Sequence, residues 1–260
     1  MAVSSAASVQ KIAELEHLLE QRTAELRDAR KELEGLSYSV SHDLRAPLRH
    51  IKGYAQILAE DCGAALAPEC GQHLARIQEG AQKMGEMLEE LLNLSRLGRQ
   101  PLVREQLLLE QAVRDAIHGL ERENSSRQVE WKIGELPALS CDPILMRQLF
   151  YHLLANALKF TRPRSHAVVE VGTEQQAGLV FFVRDNGVGF DMQYADRLFN
   201  IFQRLHPQED FEGYGAGLAL AQRIVHKHGG RIWAESAVDQ GTTFFFTLES
   251  SSGVQVPLQR

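Results

Sequence analysis

The sequence predicts a fold class of α followed by α/β: a coiled coil that leads into a dimeric four-helix bundle, and then an α+β two-layer sandwich. Three observations predict this architecture. Apolar residues repeat in heptads near the N-terminus, two long helical patterns are separated by a short break, and after residue 101 helix and strand periodicities mix. The length of 260 residues fits two modest domains, each able to bury a core.

The N-terminal heptad stripe consists of apolar or small residues at alternating steps of three and four. They are Ile12, Leu15, Leu19, Leu26, Ala29, Leu33, Leu36 and Val40, with one polar interruption at Arg22. Charged residues flank this narrow seam, which favours a parallel coiled-coil dimer over a single amphipathic helix that lies on a core. Residues 1–36 are therefore predicted to form a coiled-coil signalling helix.

A helical hairpin is predicted after the coiled coil, over residues 37–98. The helical pattern continues to Leu58 and breaks where Gly63 and Pro68 indicate a turn. A second helix with heptad spacing then runs from about Pro68 to about Leu97. Because two long helices joined by a short turn lie antiparallel, two such hairpins would make a four-helix bundle.

The second predicted domain covers residues 102–250 and leaves a tail at 251–260. Helices are predicted near 107–123, from the N-cap pair Asp142 and Pro143 to Lys159, and near 216–228. Strands are predicted at QVEWKI, AVVEVGT, GLVFFVRD, RIWAES and TTFFFTLE. Strands paired by short turns, with helices segregated between them, indicate one sheet covered by a helical layer.

The composition excludes several classes of function. The 28 Lys and Arg residues against 34 Asp and Glu leave a net charge of −6 without a dense basic run, so no binding to nucleic acid is expected. No apolar stretch approaches the roughly 20 residues that span a bilayer, and no signal-peptide pattern is visible, which predicts a cytoplasmic protein. Cys62, Cys70 and Cys141 lack metal-site spacing, which favours reduced thiols.

The segment SVSHDLRAPL places His42 and Asp43 at the end of the heptad stripe. A neutral imidazole can act as a nucleophile, and an adjacent carboxylate can orient it and stabilise the cation that develops during attack. Such a pair by itself is more often a solvated patch on a helix surface. The catalytic interpretation of His42 therefore depends on the rest of the chain.

Three polar residues share one face of the helix that starts at Pro143. His152, Asn156 and Lys159 follow each other at steps of four and three. An asparagine oxygen is a suitable ligand for Mg²⁺, and a lysine can neutralise phosphate charge. The alternative is an exposed helix face without a special role.

Two glycine segments offer places where backbone can approach a ligand closely. Asp185 ends an apolar strand before Gly187 and Gly189, so its carboxylate could accept a hydrogen bond from a flat base such as adenine; the alternative is a plain turn between strands. In the other segment, glycines lead into a predicted helix whose first N–H groups can hold phosphates. They are Gly213, Gly215 and Gly217, preceded by a polar stretch that is predicted to be a mobile lid.

Taken together, these segments resemble the sequence boxes of the sensor histidine kinases of two-component systems. SVSHDLRAPL resembles the phosphoacceptor box, residues 152–160 the asparagine box, 185–189 and 213–218 the two glycine boxes, and 199–206 the phenylalanine box. The resemblance extends from about residue 36 to 249. Within it, FQRLH and HGGRIWAES are similar to kinases linked to phytochrome or PAS sensors.

This resemblance implies a Bergerat-type ATP-binding domain, autophosphorylation of His42 with ATP, and transfer of the phosphoryl group to an aspartate of a response-regulator receiver domain. It implies a homodimer, a role for Asp43 in orienting His42, and Asn156 as the ligand of Mg²⁺. It also implies that ATP is held by Asn156, Lys159, Asp185, Gly187, Gly189, Arg204, Gly213, Gly215, Gly217 and Leu218.

Some residues depart from the family pattern. Tyr214 and Ala216 replace the small polar and branched apolar residues common between the lid glycines, which changes lid packing but keeps the phosphate cradle. Ala46 stands one turn after His42, where many members carry a Thr or Asn implicated in dephosphorylating the partner. Since a methyl group forms no hydrogen bond, weak phosphatase activity is expected.

Two alternatives to a histidine kinase stay open. One is a GHKL-type ATPase without phosphohistidine, against which the phosphoacceptor box argues; the other is a non-catalytic dimeric signalling scaffold, against which the retained nucleotide residues argue. The coiled coil begins almost at Met1, so the sensor is expected in a longer parent protein or on a separate partner. No segment after Thr247 resembles a fused receiver.

Overall fold

The computed structural model describes residues 2–62, 68–123, 127–176, 178–206, 211 and 213–249. It divides into two compact units after Ser95. None of the helices in these ranges is long and apolar enough to cross a membrane. The domain boundaries that the sequence predicts near residues 36, 98 and 102 remain predictions.

The first unit consists of two long helices. Helix α1 runs over Ala2–Cys62 and passes through Pro47 without a break, and α2 runs over Pro68–Arg99. The predicted turn between them falls on residues 63–67, outside the described part of the chain. Both predicted helices are confirmed, and α2 ends two residues later than expected.

Polar contacts fix the antiparallel pairing of these helices. Arg45 Nη2 forms an ion pair with Glu89 Oε1 at 2.7 Å, and one turn pair further along, Lys52 Nζ donates to Gln82 Oε1 at 2.6 Å. Positions on α1 rise while their partners on α2 fall, as an antiparallel hairpin requires. Exposed large apolar side chains remain on both helices: Leu15, Leu18, Leu19, Val40, Leu44, Ile51, Tyr54, Ile57, Leu58, Ile77 and Met84.

The second unit is a helical layer on a five-stranded sheet, with a separate two-stranded sheet. Its helices are α3 at Leu109–Glu123, α4 at Pro143–Phe160 and α5 at Gly217–Lys227, with a 3₁₀ turn at Met192–Arg197. Its strands are β1 at Glu105–Leu108, β2 at Val129–Ile133, β3 at Ala138–Cys141, β4 at Ala167–Gln175, β5 at Leu179–Asp185, β6 at Ile232–Ala237 and β7 at Gly241–Phe246.

The large sheet has the strand order β2-β4-β5-β7-β6, and β1 pairs antiparallel with β3. Strand β2 lies parallel to β4, whereas the other neighbours in the large sheet are antiparallel. The five predicted strands are all present. The expectation that strands pair through short turns holds for β4 with β5 and for β6 with β7, but the parallel pair needs a crossover, which contains α4.

The core lies between the sheet and α4. Phe246 of β7 stacks on Phe181 of β5 at a centroid distance of 5.2 Å and meets Phe150 of α4 edge to face at 5.9 Å. Leu149 and Leu153 of α4 are fully buried in the same layer. This packing fixes the rotation of α4 and thereby presents its polar face on the other side.

Candidate functional site

Helix α4 begins where the sequence predicts it. The Asp142 carboxylate accepts the backbone N–H groups of Ile144 and Leu145, each at 3.1 Å, and Pro143 occupies the first turn, where its missing N–H has no cost. Because the N-cap and the buried stripe set the start and rotation of the helix, His152, Asn156 and Lys159 all come to lie half-buried on the face away from the core.

A cavity of about 370 Å³ opens along this face of α4. Asn156, Lys159 and the lid residue Gly213 line it together. The other described lining residues are Leu120, Glu121, Arg127, Val129, Trp131, Tyr151, Ala155, Leu158 and Arg162. Three cationic side chains and one amide therefore surround a space in which an anionic ligand would find compensating charge.

Asp185 lies outside this cavity, at the buried end of β5. Its carboxylate is only 5 % exposed and accepts the backbone N–H of Gly187 at 2.8 Å. Burial raises the pKa of this carboxyl from 3.8 to about 6, and the N–H groups of Gly187 and Thr242 offset part of that rise. Asp185 therefore combines a buried acceptor with an oriented geometry, as a site for an amino group requires.

The glycines around Asp185 permit close backbone packing. A Cβ at Gly187 would lie 2.6 Å from the carbonyl oxygen of Phe160, and Gly189 has a left-handed φ of 62°. At Gly241 a Cβ would overlap the carbonyl oxygen of Asp185. The predicted first glycine segment is thus confirmed as a place where only glycine fits.

Two residues that support this segment were not among the predicted site residues. Arg164 donates from Nε to the carbonyl of Asn186 and from Nη2 to that of Gly187, both at 2.8 Å, and so clamps the loop after β5. Gly241 allows β7 to pass against Asp185. Arg164 lies in an irregular connection without a motif, and Gly241 is adjacent to a predicted strand, so only the folded arrangement identifies either residue.

The lid segment is held by contacts with the base of the site. Arg204 Nη2 donates to the carbonyl of Phe211, and Phe202 N–H donates to the carbonyl of Gly215 at 3.1 Å. His206 Nε2 donates to the carbonyl of Gly189 at 3.1 Å. The lid therefore connects directly to the first glycine segment.

An aromatic cluster covers the junction between α4 and the lid. The rings of Phe160, His206 and Phe211 lie with centroids 4.9–5.4 Å apart, and Lys159 Nζ stands 4.5 Å over the ring of Phe160. Such packing joins the end of the asparagine segment to the lid. Lys159 is thereby placed next to Gly213, where a Cβ would lie 3.7 Å from Nζ.

Helix α5 starts at Gly217, beside α4. Ala216 is its N-cap and makes no side-chain capping bond, so the first N–H groups of the helix lack that partner. Leu218 lies half-buried in the first turn. A Cβ at Gly217 would lie 3.3 Å from His152 Nδ1, which places the imidazole at the positive end of α5.

His42 and Asp43 lie in the first unit, on α1. The Nδ1–H of His42 donates to Asp43 Oδ1 at 3.2 Å, since a carboxylate can only accept. Their side chains are 66 % and 74 % exposed. The remaining nitrogen, Nε2, carries the lone pair and is the atom available for attack.

Substitution of Asp185 by Asn tests the buried carboxylate through stability. Because the pKa of Asp185 is raised on folding, its stabilising contribution is complete below pH 3.8 and is lost as the pH rises through about 6. The free energy of unfolding of the parent chain minus that of Asp185→Asn should fall by about 1.4 kcal/mol between pH 5 and 7.5. Urea denaturation of both chains measures this difference, and a flat or rising value would contradict it.

Comparison with known families matches both units of the chain. Residues 32–100 match the family described as His Kinase A (phospho-acceptor) domain. Residues 141–252 match the family described as Histidine kinase-, DNA gyrase B-, and HSP90-like ATPase. The first match contains the His42 segment, and the second contains the polar face of α4, Asp185 and the lid.

Similar proteins include several named kinases and phytochromes. The chain is 36 % identical to Cyanobacterial phytochrome B of Nostoc sp. over 89 % of its length, and 37 % identical to Methanogenesis regulatory histidine kinase FilI of Methanothrix harundinacea over 88 %. It is 32 % identical to Adaptive-response sensory kinase SasA of Synechococcus elongatus over 88 %. The chain spans only 31 %, 26 % and 62 % of these three relatives.

Solved structures support the fold. The crystal structure of full-length ShkA in complex with AMPPNP aligns with a TM-score of 0.58 at 22 % identity, over 84 % of this chain and 47 % of that one. The Acinetobacter baumannii histidine kinase AdeS aligns with a TM-score of 0.54 at 18 % identity, over 81 % of this chain and 98 % of that one. Helices followed by an α/β sandwich are common to all three.

Proposed function

Because this chain belongs to the sensor histidine kinases of two-component systems, we propose that it is the catalytic core of such a kinase, which phosphorylates His42 with ATP. The observation that carries the proposal is the His42–Asp43 pair. Its hydrogen bond fixes the proton on Nδ1, and the exposure of the ring leaves Nε2 accessible to an incoming γ-phosphate. Transfer forms an Nε2–P bond and breaks the bond between the γ-phosphorus and the ADP oxygen.

We propose that the second unit binds the nucleotide. Asp185 would accept the amino group of adenine, with Gly187 and Gly189 against the base, and the N–H groups at the start of α5 would hold phosphates. Gly213, Gly215, Gly217 and Leu218 would surround the phosphates, and Arg204 would keep the lid in place through Phe211. Phosphoryl transfer then depends mainly on positioning and charge.

The residues of the α4 face fit a magnesium ion that arrives with ATP. Asn156 brings an amide oxygen to the edge of the cavity, and Lys159 lines the same wall. No cluster of three or more His, Cys, Asp or Glu suited to a resident metal occurs among the described residues, so the ion would come with the nucleotide. When bound, Mg²⁺ would neutralise phosphate charge; Asn156 would bind it, and Lys159 would pair with phosphate oxygens.

The first unit is proposed to form a homodimer. Leu44, Ile51 and Leu58 expose about half of their side-chain surface at heptad spacing on α1, and Ile77 and Met84 do the same on α2. Two neighbouring helices with apolar residues at this spacing are half of a four-helix bundle. A second copy would cover these side chains, and the coiled coil before them would extend the pairing.

The proposed fate of the phosphoryl group is an aspartate on the receiver domain of a response regulator. Phosphohistidine is reactive enough to pass its phosphoryl group to a carboxylate without further ATP. We place this chemistry in the cytoplasm, where ATP is available, with the input signal supplied by a sensor in a longer parent chain or by a separate protein. The proposed domains are those predicted from the sequence: 1–36, 37–98, 102–250 and the tail.

Labelling of the full chain with γ-³²P-ATP and Mg²⁺ tests the proposal. A phosphoramidate on histidine is lost in acid and stable in base, whereas a serine phosphoester shows the reverse lability. We expect acid-labile, base-stable label on the chain. ATP turnover without this label would favour a GHKL-type ATPase, and the absence of both activities would favour a non-catalytic scaffold.

Substitution of Ala46 by Asn is expected to raise dephosphorylation of the partner. Ala46 lies one turn after His42 and offers only a methyl group, so it cannot position a water molecule near a bound acyl phosphate. The measurement is the decay of a ³²P-labelled receiver domain after addition of each chain with ADP. Rapid decay with the parent chain, at a rate matching autophosphorylation, would contradict the expectation of weak phosphatase activity.

A further inference from the structure

We infer that His152 is a nitrogen ligand of the divalent cation that accompanies the nucleotide, and that it gives the site a preference for Mn²⁺ over Mg²⁺. The inference rests on the proposed function and extends it to the choice of metal. It is carried by the position of the imidazole between Asn156 and the first turn of α5.

The first observation is the spacing of His152 and Asn156 on α4. Residues four apart lie on one face of a helix, close enough for two side chains to bind the same ion, as the two histidines of a zinc-binding HExxH helix do. Asn156 lines the cavity, and His152 follows the same face one turn earlier. The pair therefore offers one oxygen and one nitrogen in a metal-binding spacing.

The second observation is that the ring nitrogens of His152 are unsatisfied. Among the described residues, neither nitrogen has a hydrogen-bond partner; the ring only packs edge to face on Tyr151 at 5.8 Å. Nδ1 faces Gly217, where a Cβ would lie 3.3 Å away. A half-buried, unpartnered polar group directed at the place where a triphosphate would sit indicates a missing ligand.

The charge state of the ring suits a metal ligand. Burial lowers the pKa of the His152 imidazole to about 4, so the ring is neutral at physiological pH and one nitrogen keeps its lone pair. The N-terminus of α5 beside it also disfavours a proton on the ring. A neutral imidazole is a poor partner for Mg²⁺, which prefers oxygen, and a better one for Mn²⁺.

Electron spin-echo spectroscopy of Mn²⁺ bound to the full chain tests the inference. The probe is Mn²⁺ with an ATP analogue whose β,γ bridge is a methylene carbon, so that the bridge contributes no nitrogen. A directly bound imidazole nitrogen gives a characteristic modulation of the echo. When the protein contains ¹⁵N-histidine, the ¹⁴N pattern should be replaced by a ¹⁵N pattern, which separates histidine from adenine nitrogen.

Two variants complete the experiment. His152→Asn should remove the histidine modulation, and His166→Asn should retain it, because the His166 ring is exposed and bound to Glu130 at 2.7 Å. The ratio of nucleotide affinities with Mn²⁺ and Mg²⁺ should fall by about tenfold in His152→Asn, the lower end of the effects seen when metal-site residues are replaced.

The outcomes separate this inference from the proposed function. If the nucleotide binds and His42 is labelled, but the parent chain with ¹⁵N-histidine shows no histidine modulation, the inference is wrong and the kinase proposal stands. If the modulation persists in His152→Asn, another histidine is the ligand and the inference is also wrong. If no nucleotide binds with either metal, both proposals fail.

Discussion

Substitution of His42 by Gln should reduce acid-labile labelling of the chain to background while nucleotide binding is unchanged. Glutamine keeps the length and polarity of the side chain but has no nucleophilic nitrogen, since its amide lone pair is delocalised. His42 lies on α1 in the first unit and the nucleotide residues lie in the second, so the substitution removes the acceptor without touching the proposed ATP site. Labelling and nucleotide affinity are measured on the same preparation.

His50→Gln is the matched control for this variant. His50 is an exposed histidine on the same helix, eight positions further on, without an adjacent carboxylate. It should be labelled to the same extent as the parent chain. If label persists in His42→Gln, or if His50→Gln loses it, the phosphoryl acceptor is not His42.

The sequence predicts best those elements whose signals are local. Helix α4 begins at an Asp-Pro pair that caps it and fills its first turn, and its buried stripe repeats at helical spacing, so both its start and its rotation follow from nearby residues. For this reason Asn156 and Lys159 could be assigned to one polar face before the structure was known, and the structure places both on the wall of one cavity.

Short elements stabilised by distant partners could not be predicted. Strands β1 and β3 have four residues each and pair with one another across α3 and β2, so neither carries an alternating pattern long enough to detect. Because β1 occupies residues up to Leu108, α3 starts at Leu109 rather than near 107 as expected. The 3₁₀ turn at Met192–Arg197 has the same origin, as its six residues show no periodicity.

The candidate site shows the same division. Asp185 stands at the end of an apolar strand and directly before two glycines, and that local pattern was sufficient to select it. Arg164 and Gly241 act on the same loop from elsewhere in the chain, through two carbonyl contacts and through the absence of a side chain. Their importance depends on which strands become neighbours, and the pairing of β5 with β7 is a tertiary property.

The family resemblance adds what local patterns lack for His42. A His-Asp pair on an exposed helix has no distinctive physical signal, since both residues are common on surfaces. The matches of residues 32–100 and 141–252 to two families link this pair to a nucleotide-binding unit in the same chain. The physical reading then supplies the roles, because the bond to Asp43 leaves Nε2 as the free nitrogen.

Gly215→Ala should weaken nucleotide binding much more than Gly213→Ala, although both lid glycines have a left-handed φ, 76° and 106°. At Gly215 a Cβ would overlap the backbone carbonyl of Gln203, whereas at Gly213 its nearest described neighbour is the flexible end of Lys159, 3.7 Å away. The strain of a positive φ is common to both variants.

Only Gly215→Ala adds overpacking against backbone, which costs about 1–3 kcal/mol and corresponds to an additional loss of affinity of about 5- to 150-fold. The measurement is the dissociation constant of a fluorescent ATP analogue for each variant and for the parent chain, with circular dichroism melting curves to verify that both variants fold. Equal losses for the two variants would mean that the contact between Gly215 and Gln203 does not hold the lid in its nucleotide-binding form. A greater loss in Gly215→Ala would identify that contact as the support of the phosphate cradle.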